Sequence, residues 1–159
     1  VTNIYKYGIS IDIDRIGAVE KVVNHDILKH TVTLESLIDK EEKINRIRKL
    51  LIALRNITDY SKQARLLTDF TPDIVIISLD KIYSHRLQKA VSVDESLNLK
   101  IRKLEGILNE VTGSGSEVIF GAIDGCIKNL EDVEKEFEKV GVKNIGVKNA
   151  FDKVIKMIG

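Results

Sequence analysis

The amino-acid sequence predicts an α+β fold, on three observations. A stretch with two-residue alternation opens the chain, two apolar strand-like runs follow, and helical stripes with a period near 3.6 lie between and after them. The 159 residues suffice for one domain with a core of ordinary size. Hydrophobic residues make up 43% and charged residues 31%, which is typical of a globular chain and excludes general disorder.

Residues 4–13 are predicted to form a half-buried strand. Ile9, Ile11 and Ile13 alternate with Ser10 and Asp12, and a period of two places the isoleucines on one face. Residues 17–39 mix polar and apolar positions without a clear period, so no element is assigned there.

A basic amphipathic helix is predicted over residues 40–57. Asp39 suits the N-cap, and Glu41 and Glu42 match the positive end of the helix dipole in the first turn. The apolar stripe consists of Ile44, Ile47, Leu50, Leu51, Leu54 and Ile57.

The strand that follows, over residues 73–79, is apolar on both faces and is therefore predicted to be buried. Pro72 removes a backbone donor where the strand begins, which is consistent with a defined boundary between loop and strand.

The second half of the chain reads as helix, strand and helix. A helix is predicted over residues 97–111, a buried strand over 117–123, and an acidic helix over 130–140. Asn129 is the expected N-cap of the acidic helix and Gly141 its stop. A short edge strand, "VKNIGV", and a closing helix over 149–158 complete the chain.

This order favours a ferredoxin-like sheet with helices packed on one face, and a small doubly wound parallel sheet is the second choice. The chain divides into a strand–helix–strand half, residues 1–81, and a helix–strand–helix half, residues 97–159.

Charge is distributed unevenly although the net charge is only +1. Residues 40–65 carry eight Lys and Arg against three acidic residues, a net +5, whereas residues 130–140 carry five acidic residues against two Lys, a net −3. Such asymmetry suits a chain that binds a polyanion on one side or docks copies of itself head to tail, although solvated helix exteriors give the same pattern.

The loop between the basic helix and the central strand has nucleic-acid-binding chemistry. Lys62 and Arg65 can neutralise phosphates, Gln63 can bond to sugar or base edges, and Tyr60 and Phe70 can stack on bases. A rigid buried strand directly after the loop would fix its position.

Signals for catalysis or metal binding are weaker. The "GSGS" at residues 113–116 follows a helix and precedes a strand, the reverse of a phosphate-binding loop, so we interpret it as a connector. Asp12 and Asp14 would share one strand face and could bind a cation, but a solvated face is favoured. His25 and His30, five residues apart, lack the partners of a metal site. No catalytic residues, metal or cofactor are predicted.

The single cysteine and the hydropathy pattern place the chain in the cytoplasm. Cys126 excludes an intramolecular disulfide and is interpreted as a packing residue beside an apolar strand. No signal peptide or long apolar run is present, so no membrane partner is expected.

The order of the motifs resembles the carboxy-terminal half of the CRISPR-associated DevR-type autoregulators, the RAMP-superfamily backbone subunits of Cascade complexes. That family has a tyrosine-rich strand ending in a "DLDRIG" pattern, here residues 12–17 within "YKYGISIDIDRIG". After a helix it has a loop with an Ala-Arg pair, here Ala64 and Arg65, and then "DF-x-P", here residues 69–72. The similarity spans residues 4–79.

The resemblance implies an RRM-like core without nuclease activity and several copies of the chain stacked along a guide RNA (crRNA), beside other CRISPR-associated subunits. The RNA-binding residues it suggests, together with the charge pattern, are Lys62, Gln63, Arg65, Arg55 and Arg15. The family loop is often glycine-rich or carries a histidine or asparagine before the Ala-Arg pair, whereas this sequence has Gln63 there. The family's N-terminal half has no counterpart here, so the RRM-like domain of residues 1–159 is expected to be a fragment.

Two other functions stay open from the sequence. A small α/β ligand-binding or regulatory module would use "GSGSEVIFGAIDG" as a pocket edge. An enzyme would use Asp12 and Asp14 with a cation.

Overall fold

Four strands and four helices form an α+β structure, as predicted, in this computed structural model, which describes residues 4–26, 29–57 and 70–159. The strands are β1 (Ala18–Asp26), β2 (Lys29–Ser36), β3 (Ile74–Leu79) and β4 (Glu117–Ala122). The helices are α1 (Lys40–Arg55), α2 (Ile101–Gly113), α3 (Leu130–Lys139) and α4 (Val147–Ile158), and a short 3₁₀ turn spans Arg86–Lys89. The arrangement is compatible with a ferredoxin-like fold.

The central sheet joins the two halves of the chain. β3 pairs with β4 in antiparallel register, from Ile74 opposite Ala122 to Leu79 opposite Glu117. β1 and β2 are also antiparallel, so the doubly wound parallel alternative is wrong for the described strands.

Helices cover both faces of the central sheet, and the expectation that they pack on one face is wrong. Ile76 and Phe120 contact the core under α2 and α3, whereas Val75, Ile77 and Ile119 contact the core under α1 and α4. Since successive strand residues point to opposite faces, a strand with apolar side chains on both faces must be covered by other elements on each side.

The core under α2 and α3 is centred on two stacked rings. Phe120 and Phe137 are fully buried, with ring centroids 4.0 Å apart and planes 4° from parallel. The core under α1 and α4 is built from Ile47, Leu51, Ile119, Ala150, Phe151 and Val154.

The helix predictions hold to within a few residues. The Asp39 carboxylate accepts a hydrogen bond from the backbone N–H of Glu42 at 2.7 Å, as expected of an N-cap. Gly141 lies at φ +77° after α3 and ends that helix as predicted. The expected edge strand at 142–147 is reduced to a single parallel bridge between Asn144 and Phe120.

The predicted first strand is absent: residues 4–12 form no strand, and a turn follows over 13–17. Their polar groups bond elsewhere, since the Ser10 hydroxyl lies 2.8 Å from Nδ1 of His85 and the Tyr7 hydroxyl donates to the Phe70 carbonyl. Ile9 stays 47% exposed. Alternation shows that a segment has two different faces, but it does not supply the neighbouring strand that a ladder requires.

The first strands are instead those of the β1–β2 hairpin, within residues 17–39, where the sequence pattern has no clear period. Gly17 begins it at φ +66°, and a Cβ there would collide with the Ile38 side chain. Only glycine meets both conditions, which explains the residue at the end of "DRIG".

Candidate nucleic-acid interface

The two helical layers on opposite faces of the central sheet carry opposite charge. α1 has six Lys and Arg against two Glu, a net +4, and α4 has three Lys against one Asp, a net +2. α2 is neutral, with two basic and two acidic residues, and α3 has five acidic residues against two Lys, a net −3. We name α1 with α4 the basic layer and α2 with α3 the acidic layer. The fold thus separates in space the charges that the sequence separates along the chain.

The basic layer is held together by one ion pair across its two helices. Arg55 Nη1 lies 2.9 Å from Asp152 Oδ1, with the two side chains 25% and 40% exposed. This contact ties the last turn of α1 to the middle of α4, so the predicted RNA-binding residue Arg55 has a structural partner.

Arg15, the other predicted RNA-binding residue within the described ranges, lies at the far end of α1. Its guanidinium pairs with Glu20 at 2.7 Å and with Asp12 at 3.4 Å, and its side chain is 59% exposed. The adjacent Asp14 carbonyl accepts from Lys43 Nζ in the first turn of α1. Lys43 and Arg55 are twelve residues apart on one helix, or about 18 Å at 1.5 Å per residue. Arg15 and Arg55 therefore do not form one site.

Lys62, Gln63 and Arg65 lie outside the described residues, so their predicted role stays a prediction. The two ends of their segment are described: Asn56 and Ile57 follow α1, and Phe70 precedes β3.

A cleft of about 550 Å³ lies where those two ends meet α4. Its lining comprises Arg55, Asn56, Thr71, Pro72, Ile123, Gly146, Val147, Lys148 and Asn149. Gly146 is the N-cap of α4 and provides no side-chain cap, so the helix presents its positive dipole end and Lys148 to the cleft. Since Arg55 also lines the cleft, the cleft is suited to an anionic group.

Lys148 and the start of α4 were not predicted as site residues. The sequence pattern "GVKN" could have indicated an uncapped basic helix start, but only the fold places it beside Arg55, Asn56 and Pro72.

Three tyrosines on the surface were also missed. Tyr5 and Tyr7 surround Phe70 at the end of the basic loop, and Tyr83 lies beside His85. Burial raises the pKa of the Tyr7 hydroxyl above its ordinary value.

The paired aspartates do not form the open carboxylate pair that the strand prediction implied. Asp12 Oδ1 accepts from the backbone N–H of Asp14 at 3.1 Å, and its other oxygen pairs with Arg15. Both contacts close a local turn, because Asp12 and Asp14 do not lie in a strand. Within the described ranges, no three His, Cys, Asp or Glu side chains are grouped so that they could hold a metal ion.

The pocket edge expected from "GSGSEVIFGAIDG" is not formed as one unit. The serines of its first part flank the start of β4, whereas Asp124 and Gly125 follow its end and line a separate cleft of about 450 Å³ beside α3. Six strand residues, about 20 Å, lie between the two parts. The "GSGS" segment acts as a connector between α2 and β4, as predicted.

Cys126 packs against the core under α2 and α3, as predicted for a packing residue. Burial, and secondarily the charge of Asp73, raise the pKa of its thiol. A raised thiol pKa leaves little thiolate at neutral pH, which is the opposite of an activated nucleophile.

Comparison of the chain with protein-family models, with curated proteins and with solved structures found no match. Among the helices in residues 4–26, 29–57 and 70–159, none has both the length and the apolar composition to cross a bilayer.

Proposed function

We propose that the chain is an RNA-binding structural subunit of a Cascade-like CRISPR interference complex in the cytoplasm, and that it holds the guide RNA by its sugar-phosphate backbone. One observation carries the proposal: the basic and acidic helices cover opposite faces of the central sheet. The order of the motifs from residue 4 to residue 79 resembles that of the DevR-type family, and this resemblance suggests that the RNA is a guide RNA.

The charge separation favours a polyanion on one face. A polyanion gains from the net +6 of the basic layer and is repelled by the net −3 of the acidic layer, so it is oriented as well as attracted. The cleft lined by Arg55 and Lys148 could hold one phosphate.

Contacts to phosphate and sugar suit a subunit that accepts any guide sequence. Backbone contacts fix position but carry no sequence information. Lys62 and Arg65 would supply the charge and Gln63 a hydrogen bond to sugar. The acidic layer is then left for other CRISPR-associated subunits or for the basic layer of another copy of the chain.

The test is a filter-binding salt series with the double variant Lys62→Ala/Arg65→Ala. Each cation that neutralises a phosphate contributes roughly 0.7 to the slope of log affinity against log salt on single strands, so we expect the slope to fall by about 1.4. The loss of affinity should be similar for unrelated RNA sequences.

A matched control is Arg102→Ala/Lys103→Ala, which removes the same total charge from exposed positions on α2 in the acidic layer. This control should leave the salt slope unchanged. An unchanged slope for the loop variant would refute the proposal, as would a wild-type chain that binds free nucleotides and not RNA.

A further inference from the structure

Among the described aromatic side chains, three phenylalanines are buried and three tyrosines are exposed, while Phe70 is partly buried. Phe120, Phe137 and Phe151 are at most 4% exposed. Tyr5, Tyr7 and Tyr83 are 62%, 46% and 59% exposed. Large rings left this exposed point to a binding role, because a buried ring stabilises a fold far more than an exposed one.

The first exposed ring pair lies where the central strand is about to begin. The rings of Tyr5 and Phe70 meet edge to face, with centroids 5.1 Å apart and planes at 81°. The Tyr7 hydroxyl donates to the Phe70 carbonyl at 3.2 Å and holds the two segments together. An edge-to-face pair occupies at most one face of each ring, so ring surface remains open.

The second ring pair lies near Ser10, at the other end of residues 4–10, which form neither strand nor helix. Tyr83 and His85 meet edge to face, with centroids 4.8 Å apart and planes at 79°. His85 Nδ1 lies 2.8 Å from the Ser10 hydroxyl, and Ser10 also accepts from Gln88 Nε2 at 3.0 Å. Ser10 lies five positions after Tyr5 in the chain, so their Cα atoms are at most about 17 Å apart.

Cations accompany these rings. Residues 4–10 and 81–91 contain Lys6, Lys81, Arg86 and Lys89 and no Asp or Glu. Lys6 crosses from one segment to the other, donating to the Val91 carbonyl at 2.7 Å. Arg86 is paired with Glu110 of α2, which leaves the three lysines to supply the local positive charge.

We propose that Tyr5, Phe70, Tyr83 and His85 form an aromatic row that binds single-stranded RNA, with bases stacked on the open rings of Tyr5 and Tyr83 and phosphates near the lysines. The proposal rests on the RNA-binding function above and adds the form of RNA and the residues that select it. Exposed rings beside positive charge are the usual platform for single strands, because each base has a face that can stack.

The consequence is a preference for single strands over duplexes. Bases in a duplex are already stacked on each other and paired, so the rings gain nothing from a duplex of the same length. The preference comes from the rings, whereas the phosphate attraction acts on both forms of RNA.

The experiment measures the affinity of the whole chain for a single-stranded RNA and for a duplex of equal length. Tyr5→Leu/Tyr83→Leu should weaken single-strand binding by roughly fivefold or more per ring, with duplex binding and the salt slope unchanged. Tyr5→Phe/Tyr83→Phe keeps both rings and should bind as the wild type does. Ile82→Ala, at a side chain 79% exposed next to Tyr83, is the control for loss of apolar surface alone.

The outcomes separate this proposal from the function on which it rests. If the chain binds RNA with a steep salt slope but the Leu variant binds single strands as tightly as the wild type, the aromatic row is refuted and the RNA-binding function stands. If the Leu and Phe variants lose affinity equally, ring stacking is refuted. If the wild type binds no RNA, both proposals fail together.

Discussion

Removing Arg48 and Lys49 from α1 tests whether the basic layer itself touches RNA. Both residues are exposed on α1, and within the described residues neither takes part in an ion pair. Arg46, Arg55 and Lys153, in contrast, pair with carboxylates and would leave them uncompensated if removed. Replacing Arg48 and Lys49 by Ala therefore removes two charges with an expected change in folding stability within about 0.5 kcal/mol.

The magnitude follows from counterion release. Two lost phosphate contacts lower the slope of log affinity against log salt by about 1.4 on single-stranded RNA. Between 50 mM and 200 mM salt the wild type should then lose about sevenfold more affinity than the double variant does. Fluorescence anisotropy with a labelled RNA measures both affinities at each salt concentration.

Arg102→Ala/Lys103→Ala is the control, because it removes an adjacent Arg-Lys pair from exposed positions on α2 in the acidic layer. We expect this control to keep the wild-type slope. Equal slope changes for the two pairs would mean that RNA is attracted by total charge and not by the basic layer, and no change for Arg48 and Lys49 would exclude α1 from the interface.

Three further predictions concern the fold and the thiol. Gly121→Ala would place a Cβ 2.5 Å from the Gly146 carbonyl oxygen, and should lower the free energy of unfolding in urea by about 1–3 kcal/mol; a neutral effect would contradict this close approach. Asn129→Ala removes both side-chain hydrogen bonds to the buried backbone of Leu99, at 2.8 and 2.9 Å. The expected loss in the free energy of unfolding is about 1–3 kcal/mol in the same assay, and a wild-type midpoint would show that these two hydrogen bonds do not stabilise the fold. Cys126, whose thiol pKa is raised by burial, should react with iodoacetamide at pH 8 more slowly in the native chain than in urea, and equal rates would show that the thiol is not shielded.

The helices could be predicted because their signals are local. Asp39, the acidic first turn and the apolar stripe of α1 all lie within one short segment, and the structure places the Asp39 cap as expected. Asn129 shows the limit of such local reasoning. It precedes α3 as predicted, but its side chain bonds to Leu99, thirty residues earlier, and makes no capping hydrogen bond.

The strands were harder to predict because pairing is not local. Residues 4–13 have a clearer strand pattern than residues 17–39. The strands β1 and β2 nevertheless form within residues 17–39, where they pair with each other. Val22 and Val32 are direct cross-strand partners, a contact that no periodicity within either strand reveals.

The candidate site could be predicted only in part, for the same reason. The charge count indicates a basic and an acidic half, but their placement on opposite faces follows from the strand β3, whose two faces both carry apolar side chains that must be covered by helices. Arg55 was predicted as an RNA contact from its charge, whereas its partner Asp152 lies 97 residues away. The exposure of Tyr5 and Tyr83 depends on how residues 4–10 and 81–91 meet, which the sequence pattern does not specify.

The most direct test of the central claim is the affinity of the chain for three unrelated single-stranded RNAs of equal length and mixed sequence, measured from 50 to 200 mM salt. Binding through the sugar-phosphate backbone predicts affinities within about threefold of one another and parallel, steeply negative salt slopes. A chain that binds none of the three, or that binds one of them on the order of a hundredfold more tightly than the others, would contradict the claim.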